Sequence, residues 1–194
     1  MGIVGATRKA GLHASVVLVT MILGIGVSSA TPITYAVDRT IGGGSLTGTI
    51  QTDGATGVLG QADITGWNLN LNGVGASYNL VPGHSAVVLT GADLSATATD
   101  LTFNFSGSDS GYLLFQDGLF SGSHYSCDAA SSSVCFAGES VVPKYYTDPS
   151  AQFATPTGNQ IIGTVASGVP EPASLGLLGA GLVAIGVLRR RARA

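Results

Sequence analysis

The stretch that most limits where this chain can reside is its tail, Val169 to Ala194. It opens Val169-Pro170-Glu171-Pro172, continues as an uncharged apolar run from Ala173 to Leu188, and closes on Arg189-Arg190-Arg191-Ala192-Arg193. Each proline fixes its own φ and steers the residue before it away from helix, so the Glu171 carboxylate is held in a stiff, extended segment. The apolar run is 16 residues long. As a helix it would span roughly 24 Å, short of a hydrocarbon core of about 30 Å. Snorkelling arginines and local thinning of the bilayer close that gap. A basic cluster beside a transmembrane helix stays on the cytoplasmic side. Arg189, Arg190, Arg191 and Arg193 therefore read as the membrane stop, with everything before Val169 outside.

This order of parts resembles the PEP-CTERM sorting tail of bacterial exported proteins, in which a Pro-Glu-Pro signature, a short transmembrane helix and a basic end follow one another. The resemblance implies that Val169, Pro170, Glu171 and Pro172 form a recognition segment. An exosortase-type membrane protease would read it, and the helix would anchor the protein only until processing. Without the resemblance, the same residues also describe an ordinary tail anchor with a proline-rich spacer. A fainter resemblance lies in the body. Gly42 to Ile50, followed by Asp63-Ile64-Thr65-Gly66-Trp67-Asn68-Leu69, is similar to a body type of the same exported group, as are Gly111–Gln116 and the later cysteine pair. No biochemical activity comes with that body type; the family implies an association with exopolysaccharide.

At the other end, Arg8 and Lys9 precede an apolar stretch from Ala14 to Val27, and Ser28-Ser29-Ala30 follows. A basic start, a short apolar core and a small-residue site describe a secretory signal peptide. Signal peptidase is expected to cut after Ala30, with Ala36 as second choice. The organisation read from the sequence is a signal peptide at 1–30, an extracytoplasmic domain at 31–165, a linker and Pro-Glu-Pro motif at 166–172, a transmembrane helix at 173–188 and a basic cytoplasmic tail at 189–194.

Removing both ends changes the charge. Only Arg39 and Lys144 remain between Thr31 and Pro172, against all eleven acids, so that span carries −9 while the whole chain carries −3. An acidic body offers no electrostatic footprint for nucleic acid.

The body shows strand alternation and no capped helical period. Trp67, Leu69 and Leu71 fall on one face of their segment, with Asn68 and Asn70 on the other. Leu101, Phe103 and Phe105 alternate with Thr102 and Asn104 in the same way. Such alternation predicts a sheet covered on one side. Further strands are expected at Leu46–Gln51, Ser77–Val81, Ala86–Thr90, Tyr112–Gln116 and Ile161–Val165. Turn signals such as Asp53-Gly54, Asn72-Gly73 and Pro82-Gly83 separate them. The expected fold is all-β, an antiparallel β-sandwich or jelly-roll-like body, with an N-terminal signal helix and a C-terminal transmembrane helix.

Candidate chemistry is sparse. Cys127 and Cys135 are the only cysteines, and in an exported chain two cysteines are expected to pair. Too few ligands, only His124 and Asp128, lie near them for a metal site. Ser108-Asp109-Ser110-Gly111 with His84 upstream permits a His-Asp-Ser order, but a turn explains the segment, and His84 and His124 both read as surface or turn residues. Gly42-Gly43-Gly44 lacks the lysine of a phosphate-binding loop and reads as a flexible lead-in to a strand. Trp67 reads as core because it shares its face with Leu69 and Leu71. Thr97-Ala98-Thr99 is one copy of a ladder that would need many, and Asn104-Phe105-Ser106 is a sequon explained by its strand. The body's acids lie singly at strand ends, where Asp favours turns. Calcium held where two such loops converge stays open but has no location in the sequence.

No cofactor, resident metal or catalysis is therefore expected. The expected function is that of a non-enzymatic surface or matrix protein, with a carbohydrate- or calcium-binding module that stays membrane-anchored as the alternative. Replacing Pro170, Glu171 and Pro172 together should leave the protein full-length in the membrane fraction, read by intact mass; unchanged release would remove the sorting role from these residues.

Overall fold

The computed structural model describes residues 31–117, 123–131 and 134–166. The expected signal helix, transmembrane helix, Ala30, the Pro-Glu-Pro segment and the tail arginines all lie outside these residues. Strand β1 (Ile33–Ile41) and strand β2 (Gly44–Thr52) form a hairpin paired without interruption from Ile33↔Thr52 to Ile41↔Gly44. Gly42 and Gly43 make the two-residue turn. Gly42 has φ +58°, a conformation that glycine adopts without steric cost and that matches the twist of the flanking strands. The triplet is thus a tight hairpin turn rather than a flexible lead-in. The Gly43 N–H donates to Gln152 Oε1 at 2.7 Å, which ties this turn to the second sheet.

Among the described residues the larger sheet has eight strands. Beside β2 lie β4 (Ile64–Gly73) and β5 (Ala76–Leu80). On the other side of β1 follow β13 (Asn159–Val165), β8 (Asp100–Asn104), β7 (Leu94–Ala96) and the two-residue β3 (Gly57–Val58). The second sheet has, among the described residues, five strands in the order β12 (Gln152–Ala154), β11 (Gly138–Val142), β10 (Tyr125–Ala129), β9 (Tyr112–Asp117) and β6 (Ser85–Thr90). Every strand pairing is antiparallel, in keeping with the all-β expectation. The first and last strands are neighbours: Tyr35 faces Val165, and the Ala166 N–H continues the ladder to the Thr34 carbonyl at 3.0 Å.

One core cluster draws on both sheets. Tyr35, Leu69, Leu101 and Phe103 come from the larger sheet, and Leu89, Leu113, Phe115 and Val141 from the smaller. A bulge tunes the pattern. The pairing of β4 with β2 shifts between Gln51↔Gly66 and Thr52↔Ile64, so Thr65 is extra. A one-residue insertion flips parity, which lets Ile64 be buried on the same side as Leu69 and Leu71 while Thr65 stays exposed.

The alternation expected of Trp67–Leu71 and Leu101–Phe105 is present in β4 and β8 of the larger sheet. The smaller sheet differs, because it is covered on both sides: Leu113 to Gln116 are all buried, as are all of Gly138–Val142. A second, smaller cluster of Leu114, Cys127 and Ala129, with Val88, Tyr112, Tyr125 and Cys135 packed against it, covers its other face. Cys127 and Cys135 are joined, and this link holds that cover to β10.

A charged group sits where the alternation of β1 calls for an apolar one. Tyr35, Val37, Arg39 and Ile41 share a face, and the Arg39 side chain is only 10% exposed. Its guanidinium donates to both oxygens of Asp128, at 3.1 and 2.9 Å, and pairs with Glu139. Asp128 on β10 and Glu139 on β11 stand directly opposite each other, a like-charge arrangement that repels. Arg39 reaches across from the other sheet to resolve it. Truncating one partner of a buried ion pair typically costs about 3–5 kcal/mol. Arg39→Ala is expected to lose that much in chemical denaturation, whereas Arg39→Met with Asp128→Leu and Glu139→Leu should recover most of it. A loss under about 1 kcal/mol, the range of exposed pairs, would show that the triad does not join the sheets.

Candidate functional site

The residues that the sequence singled out do not assemble into a catalytic set. His84 is exposed in the turn before β6, its N–H bonded to the Val81 carbonyl at 3.2 Å. Ser110 is exposed at φ +57° in the loop between β8 and β9. The Asp109 carboxylate accepts from the backbone N–H groups of Ala92 (2.7 Å) and Gly111 (3.2 Å). Only the Asp109 side chain is engaged, and it braces turns; His84 and Ser110 stand exposed in theirs. Thr97 Oγ1 accepts from the N–H groups of Thr99 (3.1 Å) and Asp100 (2.8 Å), closing a tight turn rather than starting a ladder. Asn104 Oδ1 accepts from the Ser106 N–H at 3.1 Å. Trp67 packs against the core, 5.6 Å from Phe115 between ring centres, and its indole N–H donates to Ser85 Oγ at 2.8 Å.

His124 is less of a turn residue than its context implies. Its ring stacks on Tyr78 of β5, with centroids 3.7 Å apart, and its Nδ1 lies 2.6 Å from Asp117 Oδ2. Burial alone would raise the Asp117 carboxyl, but the His124 hydrogen bonds outweigh it and hold the carboxyl below its ordinary value. This cluster links β5 of the larger sheet to β9 of the smaller.

Two constellations escape sequence reading. The first is aromatic. Between Pro143 and Pro149 the chain carries Tyr145 and Tyr146, each 54% exposed. The turn that presents them is braced: the Asp148 N–H donates to the Tyr145 carbonyl, and Asp148 Oδ1 accepts from the Ser150 N–H at 2.8 Å. Those Ser150 bonds, with Lys144 nearby, hold the Asp148 carboxyl below its ordinary value. Tyr146 meets Phe153 of β12 edge-on at 5.2 Å, and Phe153 meets Phe136 at 5.0 Å. Burial, with Tyr146 adding to it, pushes the Tyr125 hydroxyl up to about 12. The result is a braced aromatic platform at the β12 edge of the smaller sheet. The one sequence signal for it is a Tyr-Tyr pair inside a proline-bounded turn.

The second is a carboxylate pair. Asp93, at the start of β7, is 6% exposed. It meets Asp109 of the β8–β9 loop within hydrogen-bonding reach. Burial, then Asp109, raises the Asp93 carboxyl to about 6. The amide hydrogen bonds, first that of Ala92, lower Asp109. In sequence these are two single turn aspartates; only the fold brings them together.

Fold and site define a class before they define an activity: an acidic, two-sheet antiparallel β protein that is exported through the membrane to the cell surface or the extracellular space. The residues that place it there are 168–191, which match the PEP-CTERM protein-sorting motif. It is a PEP-CTERM domain-containing protein and an exosortase substrate. No curated protein and no solved structure matches the chain.

The Asp93 shift has a definite sign. A carboxyl raised on folding stabilises the fold most below its unfolded value near 4, and that stabilisation fades as pH rises through about 6. The lowered carboxyls Asp109, Asp117 and Asp148 act the other way, and only below their ordinary range. In chelator-containing buffer, raising the pH from 5 to 7 should therefore cost wild type roughly 1–2 kcal/mol relative to Asp93→Asn. Paired urea titrations measure this, and parallel curves for the two proteins would contradict the burial of an ionisable Asp93.

Proposed function

We propose that this protein is a non-enzymatic surface or matrix component whose body associates with exopolysaccharide once the sorting tail has been processed. The observation that carries the reading is the sorting motif at residues 168–191. It commits the body to the outside, and exopolysaccharide is the partner that the family resemblance implies there. Signal peptidase, cutting after Ala30, is the second processing partner. A cut after Ala36 would remove the fully buried Tyr35 and half of β1, which favours Ala30.

The non-enzymatic reading is supported by the turn roles of His84, Asp109 and Ser110. The saccharide reading is supported by the Tyr146–Phe153 platform and by the exposed Tyr145 next to it in the chain. Tyrosine offers an apolar ring face and a hydroxyl that stays wet, the combination that the C–H face and hydroxyl rim of a sugar ring require. The same platform favours the second reading, a carbohydrate-binding module that stays membrane-anchored, and the two differ only in the fate of the tail.

The full chain is expected to co-sediment with its host's exopolysaccharide, and Tyr145→Ala with Tyr146→Ala to weaken this at least tenfold without a shift in melting temperature. Each side chain is exposed, so the fold does not depend on it. Equal co-sedimentation by the double variant would end the platform's role, and none by wild type would end the saccharide reading. Protein recovered only in membranes, at full length, would select the anchored module.

A further inference from the structure

We propose that Asp93 and Asp109 hold a calcium ion where the β6–β7 turn meets the β8–β9 loop. Two observations converge on this place. The first is the meeting of two carboxylates from separate loops. The second is that Asp93 Oδ2, on a side chain only 6% exposed, is fully buried and accepts no N–H or hydroxyl hydrogen bond among the described residues, so that only a proton shared with Asp109 or a cation can satisfy it. A buried carboxylate oxygen without a partner is costly, and a cation is the group that satisfies it while leaving both acids ionised.

The backbone is shaped around these oxygens. A Cβ at Gly107 would overlap Asp93 Oδ1. One at Gly111 would overlap Asp93 Oδ2 and come within 2.9 Å of the Thr90 carbonyl oxygen. One at Gly91 would lie 2.9 and 3.0 Å from the two Asp109 oxygens. Three glycines thus leave the space that the carboxylates occupy, and the Thr90 carbonyl stands beside it.

The donors select the ion. All are oxygens, and no imidazole or thiolate is among them, which excludes the ligand set of zinc. Among the described residues no three His, Cys, Asp or Glu side chains gather on one point, so carbonyl oxygens and water complete the shell. Calcium accepts such a mixed, irregular shell of six to eight oxygens, whereas magnesium demands a near-ideal octahedron. Two carboxylates and a largely hydrated ion place the dissociation constant at about 10⁻⁴–10⁻³ M, the range of extracellular calcium modules. Bound there, the ion would clamp the two loops at one end of the molecule.

The test is calorimetric titration of the chelator-treated full chain with calcium chloride at pH 7.5, with melting curves in parallel. One saturable site is expected, with a rise in melting temperature of about 3–5 °C at 10 mM calcium. Asp93→Asn and Asp109→Asn should each weaken binding at least tenfold. If Asp93→Asn fails to fold, Asp109→Asn decides alone, since that side chain is exposed. A wild type indifferent to calcium would overturn the proposal and leave the pair as a shared proton. A full calcium response in Asp109→Asn, or an equal response to magnesium, would overturn it as well.

Discussion

Arg39 is the only arginine of the acidic body, and the two sheets are organised around it. Asp128 and Glu139 face each other across β10 and β11, and neither can stay ionised and buried without a cation. That cation comes from β1, the strand flanked by β2 and β13 at the centre of the opposite sheet. A buried ion pair is weak evidence for stability because desolvation offsets most of the attraction. It does fix geometry: one guanidinium nitrogen bonded to both Asp128 oxygens, on a side chain that also pairs with Glu139, tolerates little displacement. An apolar interface would let one sheet slide over the other by a residue or two. A guanidinium locked to one carboxylate on β10 and another on β11 does not. The Cys127–Cys135 link then fastens the cover of the outer face to the strand that carries Asp128.

The same arrangement explains why part of the fold was hidden in the sequence. Strands β2, β4, β5, β6, β8, β9 and β13 were legible because apolar and polar residues alternate along most of them or turn residues bound them. Strand β1 was not. Arg39 stands where its alternation requires an apolar residue, and its start lies beside the expected signal-peptide cleavage after Ala30, so Ile33–Ile41 looks like a junction. Strands β10 and β11 were hidden for a related reason: Cys127, Asp128, Glu139 and Ser140 are buried by cross-sheet pairing and by a second layer, neither of which shows in local periodicity. Short β3, β7 and β12 owe their pairing to neighbours distant in the chain.

Of the site features, the Pro-Glu-Pro segment is fully legible because a linear signal is read as sequence. The aromatic platform and the carboxylate pair are not linear. Tyr146, Phe153 and Phe136 come together only after β11 and β12 pair. Asp93 and Asp109 come together only after β6 and β9 bring their flanking turns side by side. Each aspartate is explained by its own turn until the other is placed beside it, which is why single-residue reasoning finds fifteen intervening residues and no site.

The antiparallel pairing of β1 with β13 has a mechanical consequence. Ile33 and Val165 leave the sheet at the same end, while the Gly42-Gly43 turn, bonded to Gln152 beside the aromatic platform, lies at the other. A nine-residue strand, roughly 30 Å at about 3.3 Å per residue, separates the two. Whatever grips the platform while the C-terminal end is held pulls lengthwise along the strands. Antiparallel hydrogen bonds lie across the strands, so such a pull loads them in shear, many at once, instead of unzipping them singly. The C-terminal end and the aromatic platform thus lie at opposite ends of the β1 strand, and a pull between them would run along the strands.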